Sequence, residues 1–383
     1  MTAKIPAVLV TGSLGPGGTE LAVIAHARGF ARRGVVAPRV VVLGEGGGHA
    51  AALRDEGIPV EELAIPRGRL RSPAGLARLA RLRRLVRSLG GPVVHTFLFD
   101  ADVYGMLAAL LGSPGAVITT RRAIKRNRPH HLRLYRLTNF LVDRIVCNSE
   151  EVRRFTLEAE GADPSRVEVI VTGIDVERFA AGDGAAARAR LGIGPDETLV
   201  GAVGTIKEVK GQRVLLEAMV PLLRERPGLR LVLAGDRRGR YAEELARETR
   251  EAGMEERVVM PGPVADVPDL LAALDLFVLP SLSEGMSNAL LEAMASGCPI
   301  VATRVGGNAE ALAEGRAGLL VPAGDPDALR EAIVRLLDDP DLAAALAARA
   351  VVRARTHYSL EGMLETTEAL YAGLLGWPRG RFS

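Results

Sequence analysis

Residues 280–303 read PSLSEGMSNALLEAMASGCPIVAT, and two glutamates stand eight positions apart in them, Glu284 before a helical pattern and Glu292 inside it. Leu290, Leu291, Ala293, Met294 and Ala295 give Glu292 apolar neighbours, and a carboxylate in such company is costly unless it binds a hydroxyl or a cation. A ribose diol would satisfy it. The plainer alternative is one glutamate interacting with the helix dipole and one on the surface. Ser287 suits the N-cap. The amides of Gly285, Met286, Ser287 and Asn288 are then expected at a helix start, which can seat a diphosphate without a metal.

The chain has only four lysines, and two of them, Lys207 and Lys210, fall in the segment 203–211, VGTIKEVKG, just after an apolar run. An ammonium at a strand end suits a phosphate as a point charge; a solvated loop lysine is the alternative. Near the N-terminus, GPGGTE at 15–20 leads from an apolar run into a helical pattern. Glycines there, Gly17 and Gly18 among them, let backbone pass close to a ligand or simply reverse the chain. His95 follows a short apolar run and Asp102 comes soon after. The histidine could hydrogen-bond a ligand hydroxyl or sit satisfied in the core, and the aspartate is a weaker candidate for such a contact. Asp100 with Asp102, and Asp325 with Asp327, spell D-x-D, a spacing that can hold a cation on a diphosphate but arises often by chance. No metal is expected.

The elements that must place these residues follow from the pattern. Short β-branched runs at 7–10, 40–43, 93–94, 117–119 and 145–147 alternate with helical segments at 20–33, 76–89 and 103–111. The alternation resumes with runs at 199–203, 229–233, 258–260, 276–279 and 300–302. Such repetition predicts two doubly wound parallel sheets with helices on both faces. A length of 383 residues also points to two domains. The Ala/Gly/Asp-rich stretch 180–195 reads as linker plus a short helix. In open α/β sheets ligands sit beyond the carboxyl ends of the strands, so a crevice between the two domains is the expected site.

A hydrophobic fraction of 48% with 25% charged residues is ordinary for a folded chain and argues against a disordered arm. Residues 1–175 hold 25 Lys/Arg against 16 Asp/Glu, while the remainder holds 24 against 30, so the first half could meet an anionic partner. Arg121, Arg122, Lys125, Arg126 and Arg128 form one basic cluster in it, and Arg67, Arg69 and Arg71 a second. The apolar stretch at 5–10 is too brief for a secretory core, and no run of about 18 apolar residues suggests a membrane span. Cys147 and Cys298 lack metal-ligand spacing and read as reduced core residues. A cytoplasmic chain is expected, with room for peripheral contact at the inner face of an anionic membrane. Nothing suggests nucleic acid as a partner.

The E-x7-E arrangement inside EGMSNALLEAMASGCPIVATRVGG resembles the signature of the retaining glycosyltransferases of family 4. The similarity runs over essentially the whole chain and continues through Gly306, Gly307, Glu310 and the GLLVP at 318–322. It implies the GT-B fold, two Rossmann-like doubly wound parallel-sheet domains facing across a cleft. The acceptor-side domain would span 1–176 with a returning C-terminal helix at about 359–383, and the nucleotide-sugar domain 177–358. By the same resemblance Glu292 binds the nucleotide ribose, Glu284 contacts the donor hexose, and Lys210 stabilises the leaving diphosphate. Gly17 and Gly18 form the lip of the donor site. His95 stands near the reacting sugar, although Phe97 occupies the place of its usual partner. Thr205 stands where the family usually has arginine, which leaves Lys207 or the Thr205 hydroxyl to replace it. Asp102, Arg121 and Arg122 fall on the acceptor side.

The implied reaction is retaining and metal-independent, a front-face displacement in which the diphosphate takes the acceptor's proton. It moves a hexose or N-acetylhexosamine from a nucleotide sugar, UDP-sugar before GDP-sugar and with no further cofactor, to a glycan or lipid-linked acceptor, as in polysaccharide and cell-envelope synthesis. A GT-B sugar-nucleotide epimerase and a non-catalytic glycan or lipid-headgroup binding protein share these features in part. A dinucleotide oxidoreductase does not fit, because Gly12, Gly15, Gly17 and Gly18 lack the G-x-G-x-x-G spacing.

Overall fold

The computed structural model describes residues 4–15, 17–64, 73–124 and 129–377. The chain divides into two units, one of residues 1–173 with 360–383 and the other of residues 174–359.

The first unit runs β1 (Ile5–Thr11), α1 (Gly18–Arg33), β2 (Val36–Val42), α2 (Gly47–Asp55), β3 (Val60–Glu62), α3 (Pro73–Ser88), β4 (Val93–Phe97), α4 (Phe99–Gly112), β5 (Ala116–Arg121), α5 (Pro129–Thr138), β6 (Arg144–Cys147), α6 (Glu150–Glu160) and β7 (Val167–Val169). Its seven strands pair in the order β3-β2-β1-β4-β5-β6-β7, all parallel. Strands covered on both faces lose the alternation of a half-exposed sheet, and Ile5, Ala7, Val8, Leu9 and Val10 of β1 are all buried. Val23, Ile24, Ala27 and Phe30 of α1 pack on one face, and Leu82, Val86, Ala101 and Ala108 of α3 and α4 on the other.

The second unit runs α7 (Val176–Ala180), α8 (Gly184–Leu191), β8 (Thr198–Val203), α9 (Gln212–Glu225), β9 (Leu229–Ala234), α10 (Arg240–Glu251), β10 (Val258–Gly262), α11 (Val267–Ala273), β11 (Leu276–Leu279), α12 (Asn288–Ser296), β12 (Ile300–Thr303), α13 (Asn308–Ala311), β13 (Leu319–Val321), α14 (Pro326–Asp338) and α15 (Pro340–His357). Its six strands are parallel in the order β10-β9-β8-β11-β12-β13. The last helix, α16 (Leu360–Leu374), belongs to the first unit. There Leu364 and Tyr371 join the α1 core, and Arg33 pairs with Glu361 and Glu368.

The stretch expected as linker plus a short helix does carry the helix, α8, but it belongs to the second unit's body. Helix α8 starts on an Asp183 N-cap, Arg188 donates to the Ala273 carbonyl at 3.1 Å, and Arg190 pairs with Asp269 at 2.9 Å. Low β-branched content marked it as a poor strand former, but alanines and arginines are good helix formers. Its side-chain bonds hold it on α11.

Candidate active site

In the second unit the sheet order reverses between β8 and β11, which are neighbours although more than seventy residues separate them. The loops leaving their carboxyl ends therefore meet, as the switch-point rule requires. The loop after β8 carries Thr205, Lys207 and Lys210, and the loop after β11 carries Ser281, Glu284 and Gly285. Lys210 Nζ lies 2.6 Å from Glu284 Oε1. Ser281 Oγ donates to the same oxygen at 2.7 Å. Both donors sit on Oε1, so the carboxylate is held by one edge.

Backbone packing fixes these loops. Gly211 adopts φ 68°, and a Cβ there would run into the Pro280 carbonyl oxygen; Gly306, at φ 53°, meets the Glu284 carbonyl in the same way. Only glycine combines left-handed backbone with that approach at low cost. The Leu282 amide donates to the Val209 carbonyl at 2.9 Å and the Gly307 amide to the Gly285 carbonyl at 2.6 Å. From the end of β12, Thr303 Oγ1 donates to the Ser281 carbonyl at 2.6 Å, and Asn308 Nδ2 donates to the Thr303 carbonyl at 3.0 Å. Ser281, Thr303 and Asn308 are all buried. Sequence reasoning missed this support: Ser281 stood in the motif, but nothing in the order of residues showed that β12 would anchor it.

Helix α12 starts where Ser287 caps it, its hydroxyl accepting from the Leu290 amide, and ends on Gly297 in the left-handed region. Met286 and Ser287 are buried and Asn288 is partly so. Leu290, Leu291, Ala293, Met294 and Ala295 face the core, which leaves Glu292 on the remaining side, partly buried. Burial raises its carboxyl to about 7, opposed by Arg178. The group is therefore poised to gain a hydroxyl or cation partner. Thr205 is partly buried and its carbonyl accepts from Gln212 Nε2 at 3.1 Å, while Lys207 is exposed.

In the first unit Gly17 is the N-cap of α1, with no side-chain cap bond, and Gly18 is its first residue. Ser13 Oγ donates to Glu20 Oε1 at 3.0 Å beside them. Arg122 is partly buried, donates to Thr172 Oγ1 at 3.1 Å, and is lowered to about 10 by burial.

Three expectations for this unit need correction. His95 is 1% exposed. Its Nδ1 contacts the Tyr371 hydroxyl at 2.7 Å, its Nε2 contacts Thr120 Oγ1 at 2.5 Å, and its ring stacks on Phe97. With both nitrogens committed inside the unit it fastens α16 to the sheet and offers no atom to a sugar. Burial drives its imidazole well below the ordinary value, and the neighbouring His26 to about 4.

Asp102 and Arg121, expected at the acceptor, are also buried. Arg121 pairs with Asp102 at 3.0 Å and Glu160 at 2.9 Å, donates to Asn139 Oδ1 at 3.1 Å, and stacks over the Tyr135 ring. Tyr135 donates to Asp102 Oδ2 at 2.7 Å, and Thr96 also donates to Asp102. Burial pushes the Glu160 carboxyl up. The network joins α4, β5, α5 and α6 and leaves neither side chain for a ligand. Lys125, Arg126 and Arg128, with Arg67, Arg69 and Arg71, lie outside the described residues.

Three of the four D-x-D aspartates have local partners, and Asp100 is exposed at the start of α4. Asp102 belongs to the buried network, Asp325 caps α14, and Asp327 pairs with Arg330 at 2.7 Å. Among the described residues no cluster of three His, Cys, Asp or Glu could hold a metal, and no helix is long and apolar enough to cross a membrane. Cys147 and Cys298 are buried and unpaired with each other, and burial raises the Cys147 thiol to about 11.

Comparison with known proteins adds an independent line. Residues 16–178 match the family model described as Glycosyltransferase Family 4, and residues 197–339 match that of Glycosyl transferases group 1. The chain is 37% identical over 237 residues to the D-inositol 3-phosphate glycosyltransferase of Nocardia farcinica, covering 59% of this chain and 52% of that protein. It is 36% identical over 234 residues to the enzyme of the same name from Rhodococcus jostii, covering 58% and 52%. The chain thus spans about half the length of the curated relatives it matches. Among solved structures, Anabaena HepE in complex with UDP-glucose aligns with a TM-score of 0.84 at 25% identity, over 96% of this chain and 100% of that one. Sucrose-phosphate synthase from Thermosynechococcus elongatus aligns with a TM-score of 0.82 at 21% identity, over 98% and 100%, a likeness of fold alone.

Proposed function

We propose, for a chain that belongs to the family 4, group 1 glycosyltransferases, that it moves a hexose or N-acetylhexosamine from a UDP-sugar to a glycan or lipid-linked acceptor with retention of configuration. The observation that carries this reading is the convergence of Lys210 and Glu284 at 2.6 Å, at the switch point and beside the start of α12. Lys210 supplies a positive charge for the diphosphate, and amides near Gly285 to Asn288 add the helix's positive end. Glu284, held through Oε1 by Ser281, keeps Oε2 for a hydroxyl of the donor sugar. Glu292 accepts from the ribose diol, which offsets the cost of its burial.

In the reaction the bond from the sugar to the diphosphate breaks as the acceptor oxygen approaches the same face. The acceptor's proton passes to the departing diphosphate oxygen, and Lys210 neutralises the charge that grows there. The cytoplasm is the proposed setting. UDP-glucose is the first donor to try, because HepE is solved with it; the curated relatives are named for D-inositol 3-phosphate, a small acceptor outside the glycan and lipid-linked classes, so transfer to it would replace the acceptor proposed here. The test measures UDP release from UDP-glucose with and without that acceptor, beside a thermal-shift series with UDP, GDP and ADP. A ligand at 100 times its dissociation constant should stabilise by about 2.7 kcal/mol. Stabilisation by UDP with release of UDP is the expected result. Absence of both sugar transfer and donor hydrolysis across a panel of nucleotide sugars would leave a binding protein instead.

A further inference from the structure

Helix α4 is apolar almost all round. From Val103 to its end it reads VYGMLAALLG without a charge, and Tyr104, Met106, Ala108 and Ala109 fill the side that packs on the sheet. The other side is also apolar yet uncovered: Leu107 is 36% exposed, Leu110 49% and Leu111 51%. A helix of this kind is ordinarily buried or inserted in an apolar phase. Helix α3 packs beside it and carries five arginines and no acid. Arg83 Nε donates to the Leu111 carbonyl at 2.8 Å, which sets the arginine row of α3 against the leucines that end α4. Arg84 and Arg87 are exposed and have no carboxylate partner among the described residues. Leu76, at the start of α3, is 56% exposed.

We infer that the α3–α4 face docks on an anionic lipid bilayer, with Leu107, Leu110 and Leu111 entering the headgroup boundary while Arg84 and Arg87 meet lipid phosphates. Apolar area beside unpaired cations is the pairing such a surface selects. A second copy of this chain is a poorer occupant. A self-complementary contact through this face would bring two arginine rows together, with no acid on α3 and the single exposed Asp100 of α4 to set against them in each copy. Of the basic cluster at 121–128, Arg121 is buried in its ion network, and Lys125, Arg126 and Arg128 lie outside the described residues, so the proposal rests on the α3–α4 face alone. It stands apart from the transferase reading, whose residues lie in the other unit.

The test is co-sedimentation of the full chain with vesicles of phosphatidylcholine alone and of phosphatidylcholine mixed equally with phosphatidylglycerol, at low and high salt. Binding is expected to the mixed vesicles, stronger at low salt, and little to the neutral ones. Arg84→Gln with Arg87→Gln should weaken it roughly 30-fold at low salt, at about 1 kcal/mol per charge. Leu110→Ser with Leu111→Ser should weaken it at least roughly tenfold at both salt concentrations. Both variants change exposed side chains, and unchanged thermal unfolding and UDP-induced stabilisation would confirm that the fold is intact. Three results overturn the proposal. The wild type ignores the mixed vesicles at low salt, the leucine variant binds as well as the wild type, or solution mass shows a dimer that the leucine substitutions dissociate. The last result assigns the face to a second copy.

Discussion

Arg121 at the end of β5 and Lys210 in the loop after β8 are both cations at the carboxyl end of a parallel strand. Arg121, with a side chain 6% exposed, is enclosed by Asp102, Glu160, Asn139 and the Tyr135 ring, whereas Lys210, at 30%, shares one carboxylate with Ser281. The same charge is thus spent inside one unit and kept reachable in the other. A buried ion network resists rearrangement because each member removed leaves another uncompensated. An ion pair at a loop junction can exchange its carboxylate for an incoming phosphate. Position at a strand end therefore does not by itself make a residue functional; what surrounds it decides.

The comparison breaks most readily at Asp102. Asp102→Ala should cost about 3–5 kcal/mol of stability, because Arg121 and Tyr135 lose a buried partner. Chemical denaturation of the first unit reads this directly. UDP affinity of the folded fraction should stay the same, and a mutant that keeps its stability but loses UDP would place Asp102 back in the site.

Lys210→Ala should do the reverse. Turnover is expected to fall roughly 10²–10³-fold with little change in the Michaelis constant for the donor, since the charge on the leaving group grows toward the transition state. Unfolding should shift by no more than about 1 kcal/mol, as for a partly exposed pair. A loss confined to the Michaelis constant would show that Lys210 only gathers substrate.

The smallest effect sharpens the contrast through pH. Burial raises Glu292 to about 7, above the ordinary carboxylate range, so the folded state holds its proton better than the unfolded chain. The stabilising contribution is complete below the unfolded value and is lost as pH rises through about 7. UDP binding should move the other way, because ribose hydroxyls donate to the ionised form. Calorimetry from about pH 6 to about pH 8 should show up to roughly tenfold tighter binding. Glu292→Gln should flatten that dependence and stabilise the free protein by about 1 kcal/mol on the alkaline side, a figure reduced for partial solvation. A pH-independent wild type would count against the ribose role.

How legible this was depends on range along the chain. Alternating apolar runs and helical patterns indicated two parallel sheets, because strand and helix periodicities are local. The short strands β3, β7 and β13 escaped, each having only three residues and too few side chains to display a period. The motif 284–292 was readable because a helix start, its Ser287 cap and its buried leucines all lie within a few turns. Ser281's bond to Glu284 is also short in sequence, but Thr303 reaches Ser281 only because β12 lies beside β11.

Neighbouring residues make the division plain. Arg121 and Arg122 have identical side chains, yet Arg121 is the last residue of β5 and Arg122 the first of the loop beyond it. Arg121 turns into the network of Asp102 and Glu160, while Arg122 reaches Thr172. His95 likewise read as a strand-end residue near a ligand until α16, more than 260 residues later, placed the Tyr371 hydroxyl against its ring. The sequence by itself determined the element types, the turns that require glycine and the chemical groups at hand, since these follow from dihedral preference and periodicity over a few residues. Tertiary structure alone decided which of those groups are buried as partners to one another and which are left for a substrate, because burial and pairing depend on segments distant in sequence that only the folded sheets bring into contact.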